Sequence, residues 1–313
     1  MTYSIFLGAG FSKWAINLPL VSELFDFDIS PFNQSDNKRI KAITLLKSEW
    51  DKSFPDSENE QFINYASNLS KEQRDLVSWY ISRRLTKPFI CEEYHAQQWR
   101  RHSLSIDEYR KFSIKGMAKT LSFLQGFLGI ALAGILTTNY DLLVEYALGT
   151  KVFNYGINDE QLVGRGAYPV STWLHPVKLT GKLILAKLHG SVSWDENGHY
   201  TDGRRGITGN ATIVMPTLQK EIPSLLKEQW TLAENILEQS DKLLVFGFAF
   251  NKYDSLLLDL LKLKGKNIRS VLIIDKYPNI EAASELWPHA KLLYCLPPPN
   301  DDGHIANWKN SLS

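Results

Sequence analysis

Apolar and polar positions follow two regimes along this chain. Short apolar runs stand at Ser4–Leu7, Gly134–Thr138, Leu183–Leu188, Thr212–Met215, Leu243–Phe248, Ser270–Ile274 and Leu292–Leu296, and runs of this length predict buried strands. Helical spacing fills much of the rest. Ile222, Leu225, Leu226, Ala233, Ile236 and Leu237 make one apolar stripe, and Leu256, Leu257, Leu260, Leu261 and Leu263 make another. Strands alternating with helices predict an α/β fold, a Rossmann-like, mostly parallel sheet covered on both faces. Between Asp36 and about Leu132 the strand pattern is nearly absent. Leu76, Trp79, Tyr80 and Arg83-Arg84 recur there at helical intervals, as do Leu121, Leu124, Phe127 and Leu128. The expectation is one domain over 1–313, with a helical insertion at 33–132 of roughly four to six helices of ordinary length. Leu20 to Phe32 reads as a short helix or loop. Residues 149–181 and Asp195 to Asn210 read as loops or an irregular small subdomain over the sheet edge.

Ligands of a parallel sheet bind beyond the carboxyl ends of its strands, so the residues that close each run carry the candidate chemistry. The first run ends in Gly8-Ala9-Gly10-Phe11-Ser12, where the glycines are expected to give a tight turn with positive φ and backbone amides free to meet a phosphate. An ordinary strand-to-loop turn has the same letters. A dinucleotide fingerprint would need a third glycine at position 13, where Lys13 stands, which disfavours a plain nicotinamide dehydrogenase. The second run ends in Thr137-Thr138-Asn139-Tyr140-Asp141. Asn139 can hold a ribose hydroxyl or a water, Asp141 can orient it, and either can instead cap the helix that follows. The next ends in Leu188-His189-Gly190-Ser191, and histidine is the side chain most easily poised as a base near neutral pH. A structural histidine is the alternative. Gly247 and Phe248 close a further strand, followed by Asn251 and by Asp254, which can cap a helix. Asp275 ends the run at Ser270, where an acid can meet ribose hydroxyls or solvent.

Charge narrows the partners. With 35 Lys+Arg against 34 Asp+Glu in 313 residues, no general affinity for nucleic acid or a membrane follows. Cys91 and Cys295 are the only cysteines, too few for a thiolate zinc site, and no metal ligands are expected. The absence of a leader-like or membrane-length apolar segment leads to the expectation of a cytoplasmic protein. His95, Trp99 and His102 would share a helix face beside Arg100 and Arg101, either a contact surface or a solvated face.

GAGFS, TTNYD, LHGS and VFGFAFNKYD, in that order, resemble the sirtuin fold, and specifically the zinc-free, sirtuin-like NAD-consuming proteins of bacterial antiviral defence. The resemblance covers both ends of the chain but not the helical insertion. It implies that Gly8, Ala9, Gly10, Phe11 and Ser12 cradle the NAD pyrophosphate and neighbouring ribose. Asn139 and Asp141, beside Thr138, would hold the nicotinamide ribose, with His189 as base. Gly247 and Phe248 would line the phosphate and adenosine side, and Asp275 the adenine ribose. The sequence departs from the sirtuin deacylases in lacking their four-cysteine zinc ribbon, with Trp194–Met215 standing as a short cysteine-free loop. Ala249 replaces a serine common among relatives, and Lys13-Trp14 replaces a continuation that carries arginine. NAD hydrolysis to nicotinamide and ADP-ribose is the activity implied, triggered by a separate activating protein or by homo-oligomeric assembly. An NAD-sensing module without turnover and an NAD-dependent deacylase are the alternatives.

Overall fold

The computed structural model describes residues 1–27, 37–86, 106–129, 131–149, 151–156, 181–192, 194, 212–215, 222–297 and 303–311. The expectations for Cys91, for the cluster from His95 to His102, and for most of 149–181 and 195–210 lie outside these residues. Nine strands are described: β1 (Tyr3–Leu7), β2 (Leu132–Thr137), β3 (Phe153–Asn154), β4 (Leu183–Lys187), β5 (Gly190–Ser191), β6 (Thr212–Ile213), β7 (Lys242–Phe246), β8 (Ser270–Ile274) and β9 (Lys291–Cys295). Seven form one sheet in the order β3-β4-β2-β1-β7-β8-β9, and every described pairing in it is parallel.

Alternation along the central strands sends side chains to both faces, which is why these segments read as unbroken apolar runs. Ile5 and Leu7 of β1, Leu244 and Phe246 of β7, and Leu272 and Ile274 of β8 join one buried cluster. Phe6, Leu243, Val245, Val271 and Ile273 join the other. The first cluster is covered by α1 (Ala9–Ile16) and by helices that lie between β1 and β2 in the chain. These are α2 (Asn37–Ser53), α3 (Asn59–Ser67), α4 (Lys71–Thr86) and α5 (Ile106–Gln125), which contribute Ile43, Phe62, Tyr80 and Phe123. A shorter helix, α6 (Leu143–Leu148), follows β2 and adds Leu143 and Leu148.

The second cluster is closed by α7 (Lys227–Glu238), α8 (Ser255–Lys264) and α9 (Ile280–Leu286). In α7 the expected stripe buries Leu237, Ala233 and Ile236. In α8 the stripe is narrower than expected. Leu257, Leu260 and Leu261 are buried, whereas Leu256 and Leu263 point outward, because at about 3.6 residues per turn these two fall together on the flank of the helix, outside the arc that faces the sheet.

Two strand readings need correction. Thr212–Met215 does not join the parallel sheet: β6 covers only Thr212–Ile213 and pairs antiparallel with β5 in a separate ribbon. Gly190 makes this possible, since its φ is +82° and a Cβ there would stand 2.0 Å from the Thr212 carbonyl oxygen. Phe153–Asn154, which reads as loop, is an edge strand too short to carry a pattern.

At the amino end of the sheet, α10 (His304–Asn310) is fixed by a buried lysine. Lys242 Nζ donates to the carbonyls of Trp308 (2.7 Å), Lys309 (3.1 Å) and Ser311, acceptors that a helix C-terminus otherwise leaves unsatisfied. Burial holds the Lys242 ammonium below its ordinary pKa, with Asp241 opposing. Among the described residues no helix is long and apolar enough to cross a membrane.

Candidate functional site

From β1 the chain moves to β2, β4 and β3 on one side of the sheet, then returns to β7, β8 and β9 on the other. The order therefore reverses between β1 and β7, the crevice where ligands of doubly wound sheets bind. Two backbone segments close on each other there. Gly8 N–H donates to the Phe246 carbonyl (2.9 Å) and Gly10 N–H to the Gly247 carbonyl (2.8 Å). A Cβ on Gly8 would lie 2.4 Å from the Gly247 oxygen, and one on Gly10 2.7 Å from the Gly247 Cα.

This corrects the reason for the glycines. Gly8 has φ −105° and Gly10 lies inside α1, so neither uses a left-handed conformation. Close backbone approach is what excludes a side chain. The left-handed residue is Gly247, with φ +69°, where a Cβ would meet Phe11 N at 2.2 Å. The amides of Gly8 and Gly10 are engaged with the β7 segment, and Phe11 N–H donates to the Gly8 carbonyl at 3.0 Å. The Phe11 ring is fully buried among Trp14, Phe123 and Phe246, leaving its backbone as the part that lies in the turn. Phe248 likewise packs into the core on Phe6. Ala9 and Ala249 are exposed at the tips of the two segments.

Next to this crossing, Ser12, Asn139 and Asp141 form one buried network. Asn139 Nδ2 donates to the Gly8 carbonyl (2.9 Å) and to Ser12 Oγ (3.0 Å), and Ser12 Oγ donates to Asp141 Oδ2 (2.7 Å). The other Asp141 oxygen accepts the Leu143 N–H at 2.9 Å, so this carboxylate anchors the start of α6 while holding the serine. Thr137 Oγ1 accepts the Asn139 N–H and donates to the Leu7 carbonyl, and Thr138 N–H also donates to Leu7. Asn139 is thus fixed to the backbone just after β1, Asp141 to the backbone at the start of α6, and Ser12 is held between their two side chains.

Beneath the network lies an ion pair that the sequence pattern does not single out. Lys187 Nζ reaches Glu145 Oε1 at 2.7 Å, both side chains almost fully buried, and also donates to the Asp141 carbonyl. Tyr155 OH donates to the same Glu145 oxygen at 3.0 Å. Burial pushes the Glu145 carboxyl upward, against the pull of Lys187. A lysine closing an apolar strand is the available signal, because a buried ammonium requires a partner.

His189 follows β4 and is buried. Its Nε2 faces Asp254 Oδ1 at 3.5 Å, and its ring lies 6.3 Å from that of Tyr140. Asp254 precedes α8 but makes no side-chain capping bond, contrary to the capping alternative. Burial and the Asp254 charge push the Tyr140 phenol upward, while its OH donates to the Val214 carbonyl. Glu60 of α3 is raised by burial first, and the Asp254 and Glu58 charges add to this, so α3 brings carboxylates toward the Asp254 end of the edge.

The sheet edge thus gathers Gly8, Gly10, Ser12, Asn139, Asp141 and Gly247 into one contact set. His189 sits with Asp254 and Tyr140 in an adjoining one, tied to the first by the Leu188 N–H donating to the Thr137 carbonyl at 2.9 Å. Asp275 stands apart, at the end of β8, with Oδ1 accepting the Tyr277 N–H at 2.8 Å.

A family model described as a SIR2-like domain matches residues 133–294, more than half of the chain. The chain belongs to the SIR2-like domain family. Members of this family are NAD-dependent enzymes. Among solved structures, the SIR2-like chain is similar to one described under the mechanism and regulation of Sir2 enzymes, at 12% identity over 93% of this chain and 86% of that one, TM-score 0.39. It is similar to Sir2Tm bound to a propionylated peptide, at 12% identity over 94% and 86%, TM-score 0.38. A third is Sir2 with an inhibitor, 2′-O-acetyl-ADP-ribose and a deacetylated p53 peptide, at 12% identity over 94% and 87%, TM-score 0.38. A search of curated proteins gives no match. The doubly wound sheet together with the family match makes the fold sirtuin-like.

Proposed function

We propose that the protein cleaves the nicotinamide N-glycosidic bond of NAD, releasing nicotinamide and leaving ADP-ribose. The observation that carries the reading is the buried Ser12–Asn139–Asp141 network standing beside the β1/β7 crossing, in a chain of the SIR2-like family. Ser12 and the backbone around Gly8 and Gly247 would hold the diphosphate side, with Phe248 behind them and Asp275 toward the adenine ribose. Asn139, with Asp141 and Thr138 beside it, would fix the nicotinamide ribose and the attacking water. His189 would accept a proton from a ribose hydroxyl or from that water as the bond opens through an oxocarbenium-like transition state, a role worth roughly 10²–10⁴-fold in rate. Holding the ribose and water in register contributes the remainder.

Hydrolysis is preferred over deacylation on one sequence fact. A four-cysteine module that would frame an acyl-lysine peptide cannot be built from Cys91 and Cys295 alone. An unrestrained hydrolase of NAD would harm its own cell, so we assign it to antiviral defence, under control of a partner protein or of self-assembly through the helices between β1 and β2. Chromatography of NAD incubated with the purified protein, alone and with the proteins encoded beside it, tests the reaction. Nicotinamide and ADP-ribose are expected in equal amounts, and none from a folded His189→Ala protein. NAD-dependent deacylation of an acyl-lysine peptide would overturn the reading, and wild-type turnover by His189→Ala would overturn the assignment of His189 as the base.

A further inference from the structure

Sequence alone offers Asp254 at most a helix cap, yet its carboxylate leaves that N-terminus uncapped and turns to a histidine 65 positions earlier in the chain. The local backbone sets this up. Phe250, with φ +53°, adopts a conformation that costs a bulky residue free energy, and its buried ring is held against Phe248 and Trp287. Asn251 Oδ1 then accepts the Tyr253 N–H at 3.2 Å, and the buried Tyr253 fixes the turn that presents Asp254. So much constraint on a loop between β7 and α8 fits a segment whose job is to aim one side chain.

We propose that Asp254 is a positioning residue for His189: it accepts the Nε2 proton of the imidazole, fixes that tautomer, and leaves Nδ1 as the nitrogen able to take a proton. The inference deepens the proposed cleavage of NAD and rests on that reading for its catalytic meaning, though not for its geometry. At 3.5 Å the contact is long for a hydrogen bond, as pairs at catalytic sites often are before substrate binds. Among the described residues, the Tyr140 phenol from the turn after β2 and Glu60 from α3 stand near the pair. A carboxylate beside an imidazole favours the protonated ring and raises its proton affinity.

The test reads the imidazole directly. In ¹⁵N-labelled protein, the His189 ring nitrogens, assigned by their loss in His189→Gln, are followed through a pH titration. Wild type is expected to show the Nε2–H tautomer at high pH, and Asp254→Asn a midpoint lower by roughly one pH unit. With NAD, Asp254→Asn is expected to lose roughly 10- to 100-fold in kcat with KM little changed, and Asp254→Glu to recover part of the loss. An unmoved His189 titration in Asp254→Asn, with Asp254→Glu also indistinguishable from wild type, would overturn the assignment. Failure of the wild type to consume NAD would strike the proposed reaction instead, and leaves the titration result standing on its own.

Discussion

Replacing Gly247 by alanine is expected to destabilise the fold through two separable effects. The residue lies at φ +69°, where a Cβ costs about 1–2 kcal/mol for any L-residue. The same Cβ would also stand 2.2 Å from Phe11 N, 2.4 Å from Gly10 C and 2.5 Å from Gly10 Cα. These are backbone atoms pinned by the Gly8 and Gly10 bonds to the β7 segment, so they cannot swing aside as a side-chain tip would. Overpacking of this kind adds about 1–3 kcal/mol, for a total of about 2–5 kcal/mol. Gly303 supplies the control. It has nearly the same dihedral, φ +67°, with nothing within 4 Å of where an added Cβ would stand, so Gly303→Ala should show the conformational cost alone. Urea unfolding followed by tryptophan fluorescence measures both. Equal losses in the two variants would mean that the β1 and β7 segments are not in close contact, and the account of the Gly8–Gly10 turn would fall with it.

Three further outcomes follow from the charged groups and the network at the edge. Lys187→Met leaves Glu145 buried with its ammonium gone and should cost about 3–5 kcal/mol in urea unfolding, most of it recovered when Glu145→Leu is added. Glu60→Gln should be more stable than wild type at pH 7: the folded carboxyl titrates above its ordinary 4.5, so wild type loses stability as pH rises through that window. Below pH 4.5 the advantage should vanish, which thermal melts at pH 4 and pH 7 would reveal. Ser12→Ala should weaken binding of NAD, measured calorimetrically, while urea resistance falls by about 1.5–3 kcal/mol through loss of the bond to Asp141.

The strands are legible in sequence because a strand buried on both faces shows as an unbroken apolar run, and Ser270–Ile274 has in the structure the boundaries that its run predicts. β3 is not legible, since Phe153–Asn154 is recruited by pairing with β4 and two residues hold no period. β6 reads as part of the main sheet because its true partner is chosen by the turn at Gly190, a tertiary matter. At the β1/β7 crossing, the sequence singles out Gly8 and Gly10 for a mistaken cause: what they share is crowding by Gly247, which no local pattern encodes. Asp254 suggests only a local role, since the folded sheet edge alone brings it to His189.

The position of β1 has a consequence for biosynthesis. It is the central strand, yet both of its neighbours come much later, β2 starting at Leu132 and β7 at Lys242. At roughly 5–20 residues per second, a ribosome leaves the Ile5–Leu7 segment without its second partner for about 10–50 s. During that interval the helices from α2 to α5 can assemble from local contacts, but the nascent sheet has an open middle. A newly made chain is therefore most vulnerable to aggregation at the β1 segment, and chaperone demand should peak before the β7 segment clears the exit tunnel.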